Sequence, residues 1–177
     1  IEGTLHSHHK FNEHQTAEKV VEQLQSGLNL ALVSDAGTPA ISDPGFLLTR
    51  ACIDAGVTIE CLPGPTAIIP ALVLSGLPND KFVFEGFLPH KKGRKTRLEK
   101  LAEEERTIVL YESPHRIGKT IKQLSEFLGE ERPACLCREI SKKFEESLRG
   151  SLGELSAITQ ERKLKGEMVL VVGGKGK

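Results

Sequence analysis

The chain has 177 residues, a size that holds one large domain or two small ones with a real apolar core. Hydrophobic residues make up 38% and charged residues 27%, with 24 cationic side chains against 24 acidic ones; this is the balance of a globular protein, and zero net charge argues against non-specific coating of nucleic acid. No apolar run approaches the ~20 residues that span a bilayer, and the four cysteines, Cys52, Cys61, Cys135 and Cys137, show neither a Cys-x-x-Cys pair nor disulfide-scaffold density, so a reducing, cytoplasmic setting is expected.

In chain order, Val20, Val21 and Leu24 share one helical face, predicting a helix over 16–26 with Thr16 as N-cap and Gly27 as its stop. Leu30-Ala31-Leu32-Val33 reads as a buried strand feeding a loop. A helix over 46–55, a strand over 57–62, the turn Pro63-Gly64-Pro65 and a helix over 66–75 follow. This alternation predicts a parallel sheet. The turn formers from Gly76 to Asp80 mark the expected domain boundary, giving an N-terminal α/β domain over 1–79 and a C-terminal one over 80–177.

For the second domain the pattern predicts a strand over 82–87, a basic helix over 94–105, a strand from Thr107 to Tyr111 and a helix opening at Pro114. Strands over 134–138 and 144–149 would pair antiparallel, followed by a helix over 152–162 and a last strand from Met168 to Val172. The sheet would be mixed.

Two loops concentrate the chemistry. Ser34 to Gly45 joins a strand to a helix with small residues, two prolines and the carboxylates Asp35 and Asp43. Small side chains let a ligand approach backbone at the carboxyl end of a strand. Capping by Ser42 or Asp43 would explain half of these residues but not the loop's length. The second loop, Leu62 to Ala67, falls one strand-helix unit later; Thr66 taken alone reads best as a plain helix cap, and a helix amino terminus could instead hold a sugar phosphate. Residues 91–100, KKGRKTRLEK, carry six cations against Glu99, which alone is most simply a solvated helix face. His6, His8, His9 and His14 cluster without the partners of a closed zinc site, so no structural metal is expected.

The segments LVSDAGTPAISDPG, LPGPTA, SGLPNDKFVFEGFLP with its KKGRK continuation, YESPHR, REISKKFEE and GEMVLVV stand in one order and spacing. Together they resemble the ribosomal RNA small-subunit methyltransferase I family, the 16S rRNA cytidine 2′-O-methyltransferases of the tetrapyrrole-methylase superfamily, over residues 9 to 174. That resemblance implies a two-domain α/β tetrapyrrole-methylase-like fold, a homodimer, and S-adenosyl-L-methionine bound in a cleft between domains. The donor loop would be Asp35, Ala36, Gly37, Thr38 and Pro39, extended through Ile41, Ser42 and Asp43, with threonine where the superfamily has aspartate. Pro63, Gly64, Pro65, Thr66 and Ala67 match its second turn. Tyr111, Glu112 and Ser113, with Gly166, Glu167 and Met168, would close over the adenosine.

The implied reaction is attack by a ribose 2′-hydroxyl of 16S rRNA in the small ribosomal subunit on the sulfonium methyl group. Glu112, Asp43 and His115 are the candidate proton acceptors. Glu112 could equally serve to hold Arg116. Lys91, Lys92, Arg94, Lys95 and Arg97 would meet RNA phosphates, and His9, Asn12 and Glu13 would face the substrate. Alternatives are a small-molecule or tetrapyrrole methylase of the same fold and a non-catalytic sugar-phosphate module. The family's opening strand, Pro-Ile-Gly-Asn-Leu loop and Ala-Glu-Asp-Thr-Arg segment do not occur here, and the chain opens at Ile1 in what reads as a connecting tail; the expectation is a fragment lacking one wall of the donor site.

Overall fold

A computed structural model describes residues 4–176; Ile1, where the expected connecting tail begins, lies outside them. Two compact units divide between Thr66 and Ala67. The boundary expected after residue 79 is therefore displaced to the amino side of a helix, for a reason given by that helix's packing.

The first unit contains helices α1 (Glu13–Gln25) and α2 (Phe46–Asp54). Ala17, Leu48 and Cys52 form its buried core, with Val20, Val21, Leu24, Ala51 and Val57 packed around them. Helix α1 begins three residues earlier than the periodicity predicts: Asn12, not Thr16, is the N-cap, and the Thr16 hydroxyl instead donates to Asn12 O at 3.0 Å. The parallel sheet expected here is not formed among the described residues. Segments 30–33 and 57–62 have strand composition but pair with nothing, and Leu30, Val33, Ile59 and Leu62 are exposed. A strand is stable only through its ladder and its covered faces, and apolar alternation supplies neither partner.

The second unit is built on five strands, β1 (Phe82–Phe87), β2 (Thr107–Glu112), β3 (Pro133–Arg138), β4 (Glu146–Ser151) and β5 (Met168–Val172), in the order β1-β2-β5-β3-β4. Only β1 and β2 run parallel; the other pairs are antiparallel, as a mixed sheet requires. Period-two alternation divides the sheet's side chains between two cores. Ile108, Leu110, Leu136, Leu170 and Val172 meet Leu98 and Leu101 of α4 (Arg94–Ala102), Ile121 and Leu124 of α5 (Ile117–Leu128), and Leu152 and Leu155 of α6 (Leu152–Glu161). Val109, Cys135, Cys137, Val169 and Val171 meet Ile68, Ala71 and Leu72 of α3 (Ile68–Ser75). Helix α3 thus belongs to this sheet, which is why the boundary precedes it.

Helix α6 opens on a capping box: Glu154 N–H donates to Ser151 Oγ at 3.2 Å and Ser151 N–H to the Glu154 carboxylate at 2.8 Å. In β1 the register jumps from Phe84↔Val109 to Gly86↔Leu110, leaving Glu85 as the extra residue of a bulge. Gly86 supplies the left-handed φ of 61° that the bulge needs. Phe84 and Phe87 consequently share a face, where both reach Tyr111, with ring centroids 5.0 and 5.8 Å away.

Candidate functional site

In the first unit the two loops singled out from sequence do meet. Thr38 Oγ1 donates to Pro65 O at 3.0 Å, tying the Gly37-Thr38-Pro39 corner to the Pro63-Gly64-Pro65 turn. Ser34 Oγ donates to the Asp43 carboxylate at 2.7 Å across the base of the longer loop, and Ala40 N–H donates to Pro44 O. Ala40 and Ser42 both hold left-handed backbone, φ 68° and 61°, conformations that non-glycine residues adopt only where surroundings impose them. Asp35, Ala36, Gly37, Ile41, Pro63, Gly64 and Pro65 are exposed, so this corner presents backbone and small side chains to solvent. Thr66 and Ala67 are half-buried.

Glu13 has a different place from the one expected of it. Its side chain is buried and accepts from the N–H groups of Gly45 and Leu47 at 2.8 and 3.0 Å, satisfying the open amino end of α2 from another helix. Burial alone would raise its pKa, but those amides and His8, 3.8 Å away, hold the carboxyl below its usual range. Asn12 is likewise engaged locally, accepting from His9 N–H at 2.8 Å and donating to Ser7 O at 2.9 Å. Of that trio His9 stays exposed. No group of three or more His, Cys, Asp or Glu side chains among the described residues could hold a metal ion.

In the second unit, residues 111–113 and 166–168 come together. Glu112 lies opposite Met168 in the β2–β5 ladder and Tyr111 opposite Val169. The turn ahead of β5 is fixed by Glu139, whose N–H donates to Glu167 O at 2.9 Å and whose carboxylate accepts from Glu167 N–H at 2.8 Å. Gly166, at φ 90°, runs so close to the Glu139 side chain that a Cβ there would collide with it. Lys142 bridges the carboxylates of Glu139 and Glu167 at 3.3 and 2.8 Å. The role of Glu139 was invisible in sequence, where it was one acid in a charged run.

Glu112 ends β2 fully buried. Its carboxylate accepts from Ser113 N–H at 2.9 Å and Thr120 Oγ1 at 2.7 Å, and Arg116 approaches to 3.4 Å. Arg116 donates in turn to Leu88 O at 2.7 Å and lies 3.1 Å from His90 Nε2. Arg94 completes the cluster and corrects the expectation that it faces RNA. Only 7% exposed, it donates to Gln123 Oε1, Pro89 O and Thr120 Oγ1 at 2.8, 3.0 and 2.8 Å. Burial, helped by the neighbouring Arg116 charge, lowers its pKa, and Glu112 offsets part of that. A rigid guanidinium fork suits such multidentate anchoring of a loop. Of the proposed acceptors, His115 is exposed and Asp43 half-buried, whereas Glu112 is sealed.

Around this anchor Lys91, Lys92 and Lys95 are exposed, Lys95 with Glu99 at 3.8 Å. Arg97 pairs with Glu85 of the bulge through Nε at 2.5 Å. The basic run is thus a solvated stripe around an inward-pointing Arg94.

The family model of the Tetrapyrrole (Corrin/Porphyrin) Methylases matches residues 2–156. Proteins named Ribosomal RNA small subunit methyltransferase I are 48% identical in Synechocystis sp. over 95% of this chain, 49% in Haemophilus influenzae over 96%, and 51% in Vibrio cholerae over 94%. The chain spans 61%, 61% and 59% of their lengths, about three fifths. Among solved structures, the methyltransferase CobJ aligns with a TM-score of 0.68 at 22% identity, covering 92% of this chain and 71% of that one. Uroporphyrin-III C-methyltransferase from Thermus thermophilus, complexed with S-adenosyl homocysteine, gives 0.60 at 18% identity, covering 90% and 72%. At such identities the structures speak to fold alone, and on the family match and the 48–51% relatives the chain belongs to the tetrapyrrole methylases and falls with the ribosomal RNA small-subunit methyltransferase I proteins among them.

Proposed function

We propose that this chain carries most of an S-adenosyl-L-methionine-dependent methyltransferase that places a methyl group on a ribose 2′-hydroxyl of a cytidine in 16S rRNA. The observation that carries the reading is the 49% identity over 96% of the chain to a protein named for ribosomal RNA small-subunit methylation. The loop chemistry fits the donor. The Thr38-to-Pro65 tie sets two small-residue loops side by side with backbone exposed, and Asp35 offers a solvent-facing carboxylate to hydroxyl or ammonium donors. The donor, when bound, brings a methyl group already activated as a sulfonium.

The protein's part is then alignment, for which positioning can supply about 7 to 11 kcal/mol of barrier reduction. Asp43 and His115 are the acceptors that solvent and substrate reach. Glu112 acts as a positioning residue, holding Arg116 and through it the backbone of Leu88. Lys91, Lys92, Lys95 and Arg97 meet phosphates.

The test is transfer of labelled methyl from S-adenosylmethionine to isolated small ribosomal subunits, followed by nuclease digestion and mass spectrometry of the nucleosides. A labelled 2′-O-methylcytidine is expected. Label on a base, or only on an added tetrapyrrole, overturns the assignment.

A further inference from the structure

A groove of about 450 Å³ opens beside the bulged edge of the sheet, between β1, the turn after it and α4. Glu85, Phe87 and Pro89 line one side, Gly93, Arg97 and Lys100 the other. Three features distinguish it from a merely basic surface. Arg97 is held by Glu85, whose side chain is only 5% exposed, through a single nitrogen; the rest of the guanidinium has no other hydrogen bond among the described residues. A side chain so fixed loses little freedom on meeting a ligand. Phe87 is 53% exposed although its ring is braced by Tyr111, an aromatic surface held ready at the groove's rim. Lys100 adds a cation one helical turn beyond Arg97.

A bare phosphate would have no use for the aromatic ring, and an apolar ligand none for the ion pair. A nucleotide uses all three: phosphate toward Arg97 and Lys100 and base against Phe87, with Glu85 holding Arg97 in place. Side chains cannot easily enter the deep groove of an RNA duplex, so an unpaired nucleotide is the form that fits. We infer that this groove binds one unstacked nucleotide of a single-stranded RNA segment and thereby positions the substrate. The inference rests on the RNA-directed reading given above and adds a defined subsite to it.

The experiment measures fluorescence anisotropy of this chain with a short single-stranded oligoribonucleotide and with a duplex of equal length, across a salt series. Phe87→Ala is expected to weaken single-strand binding about tenfold, in the range of lost base stacking. Lys100→Ala should lower the slope of log affinity against log salt by about 0.7, one phosphate contact. Phe82→Ala, on the same strand but away from the groove, should change neither. Independently of any variant's folding, a photoreactive 4-thiouridine in the bound strand should crosslink to residues 85–100, mapped by mass spectrometry.

Binding that Phe87→Ala and Lys100→Ala leave intact but Lys91→Ala with Lys92→Ala weakens overturns the groove and spares the RNA reading. Crosslinks elsewhere, or a preference for duplex, do the same. No RNA binding by the unaltered chain overturns both.

Discussion

The second unit buries Leu, Ile and Val from its three central strands, β2, β5 and β3, on both sides of one sheet, whereas the first buries Ala17, Leu48 and Cys52 and closes the end of α2 with a single carboxylate. In the second, each strand's register is fixed by its neighbours, and the candidate site residues Tyr111, Glu112 and Met168 inherit that rigidity. In the first, the loops are held by a few side-chain hydrogen bonds, Ser34 to Asp43 and Thr38 to Pro65, around backbone that is itself strained at Ala40 and Ser42. The lesson is that apolar cores and polar ties are separate means of fixing a site. They should fail differently when cut.

The sharpest cut is Glu112→Ala. It removes the acceptor of Thr120, Ser113 and Arg116 at once and leaves the buried Arg94 and half-buried Arg116 without the carboxylate that balances their charge. Breaking a buried pair from one side costs about 3 to 5 kcal/mol. Urea unfolding of the second unit should report a loss of that size, and Glu112→Gln, which keeps an acceptor, should lose less. Equal losses for the two variants would mean that charge, not hydrogen bonding, sustains the cluster.

A smaller contrast lies between Leu136→Ala and Leu48→Ala. Leu136 has no exposed surface at the middle of β3, so truncation leaves a cavity that a central strand cannot collapse into, at roughly 2 to 5 kcal/mol. Leu48 sits in a three-residue core at the edge of solvent, where neighbours can settle inward, and should lie at the bottom of that range, about 2 kcal/mol. Thermal unfolding followed by residue-resolved amide exchange separates the two units. A larger loss at Leu48 would show that the first unit depends on its small core more than on its ties.

The same contrast explains what sequence reveals. The pairing of β3 with β4 and the boundaries of β1 and β5 follow from alternation and turn chemistry that are local in the chain. Segments 30–33 and 57–62 carry the same local signals, yet a ladder is a property of two segments and these have none among the described residues. The meeting of the two Gly/Pro loops was anticipated because small residues and two carboxylates concentrate in one long connection beside a second such turn. Arg94 was not. Nothing in KKGRKTR distinguishes the cation that turns inward from the four that do not; its partners Thr120 and Gln123 lie on another helix. Phe87 was hidden for a related reason, since strict alternation opposes it to Phe84 and only the Glu85–Gly86 bulge brings both to Tyr111.

The mildest and most selective cut is at Glu13, where a polar tie can be released by acid as well as by mutation. Its folded-state pKa is lowered: burial opposes ionisation, but the amides of Gly45 and Leu47, with His8 beside them, outweigh it. A carboxyl with a depressed folded pKa contributes stability above its unfolded value, about 4.3, and loses it as pH falls below that toward the folded value. Between those limits the ends of α1 and α2 should loosen while the five-stranded sheet stays intact, seen as growing chemical-shift changes at the amides of Gly45 and Leu47. Glu13→Ala, which abolishes the cap, should cost about 1 to 2 kcal/mol at neutral pH, as lost helix caps do. It should also remove this acid response from the first unit. An acid transition at Gly45 and Leu47 that survives the substitution would assign it to another group and leave the small apolar core as the tie that matters.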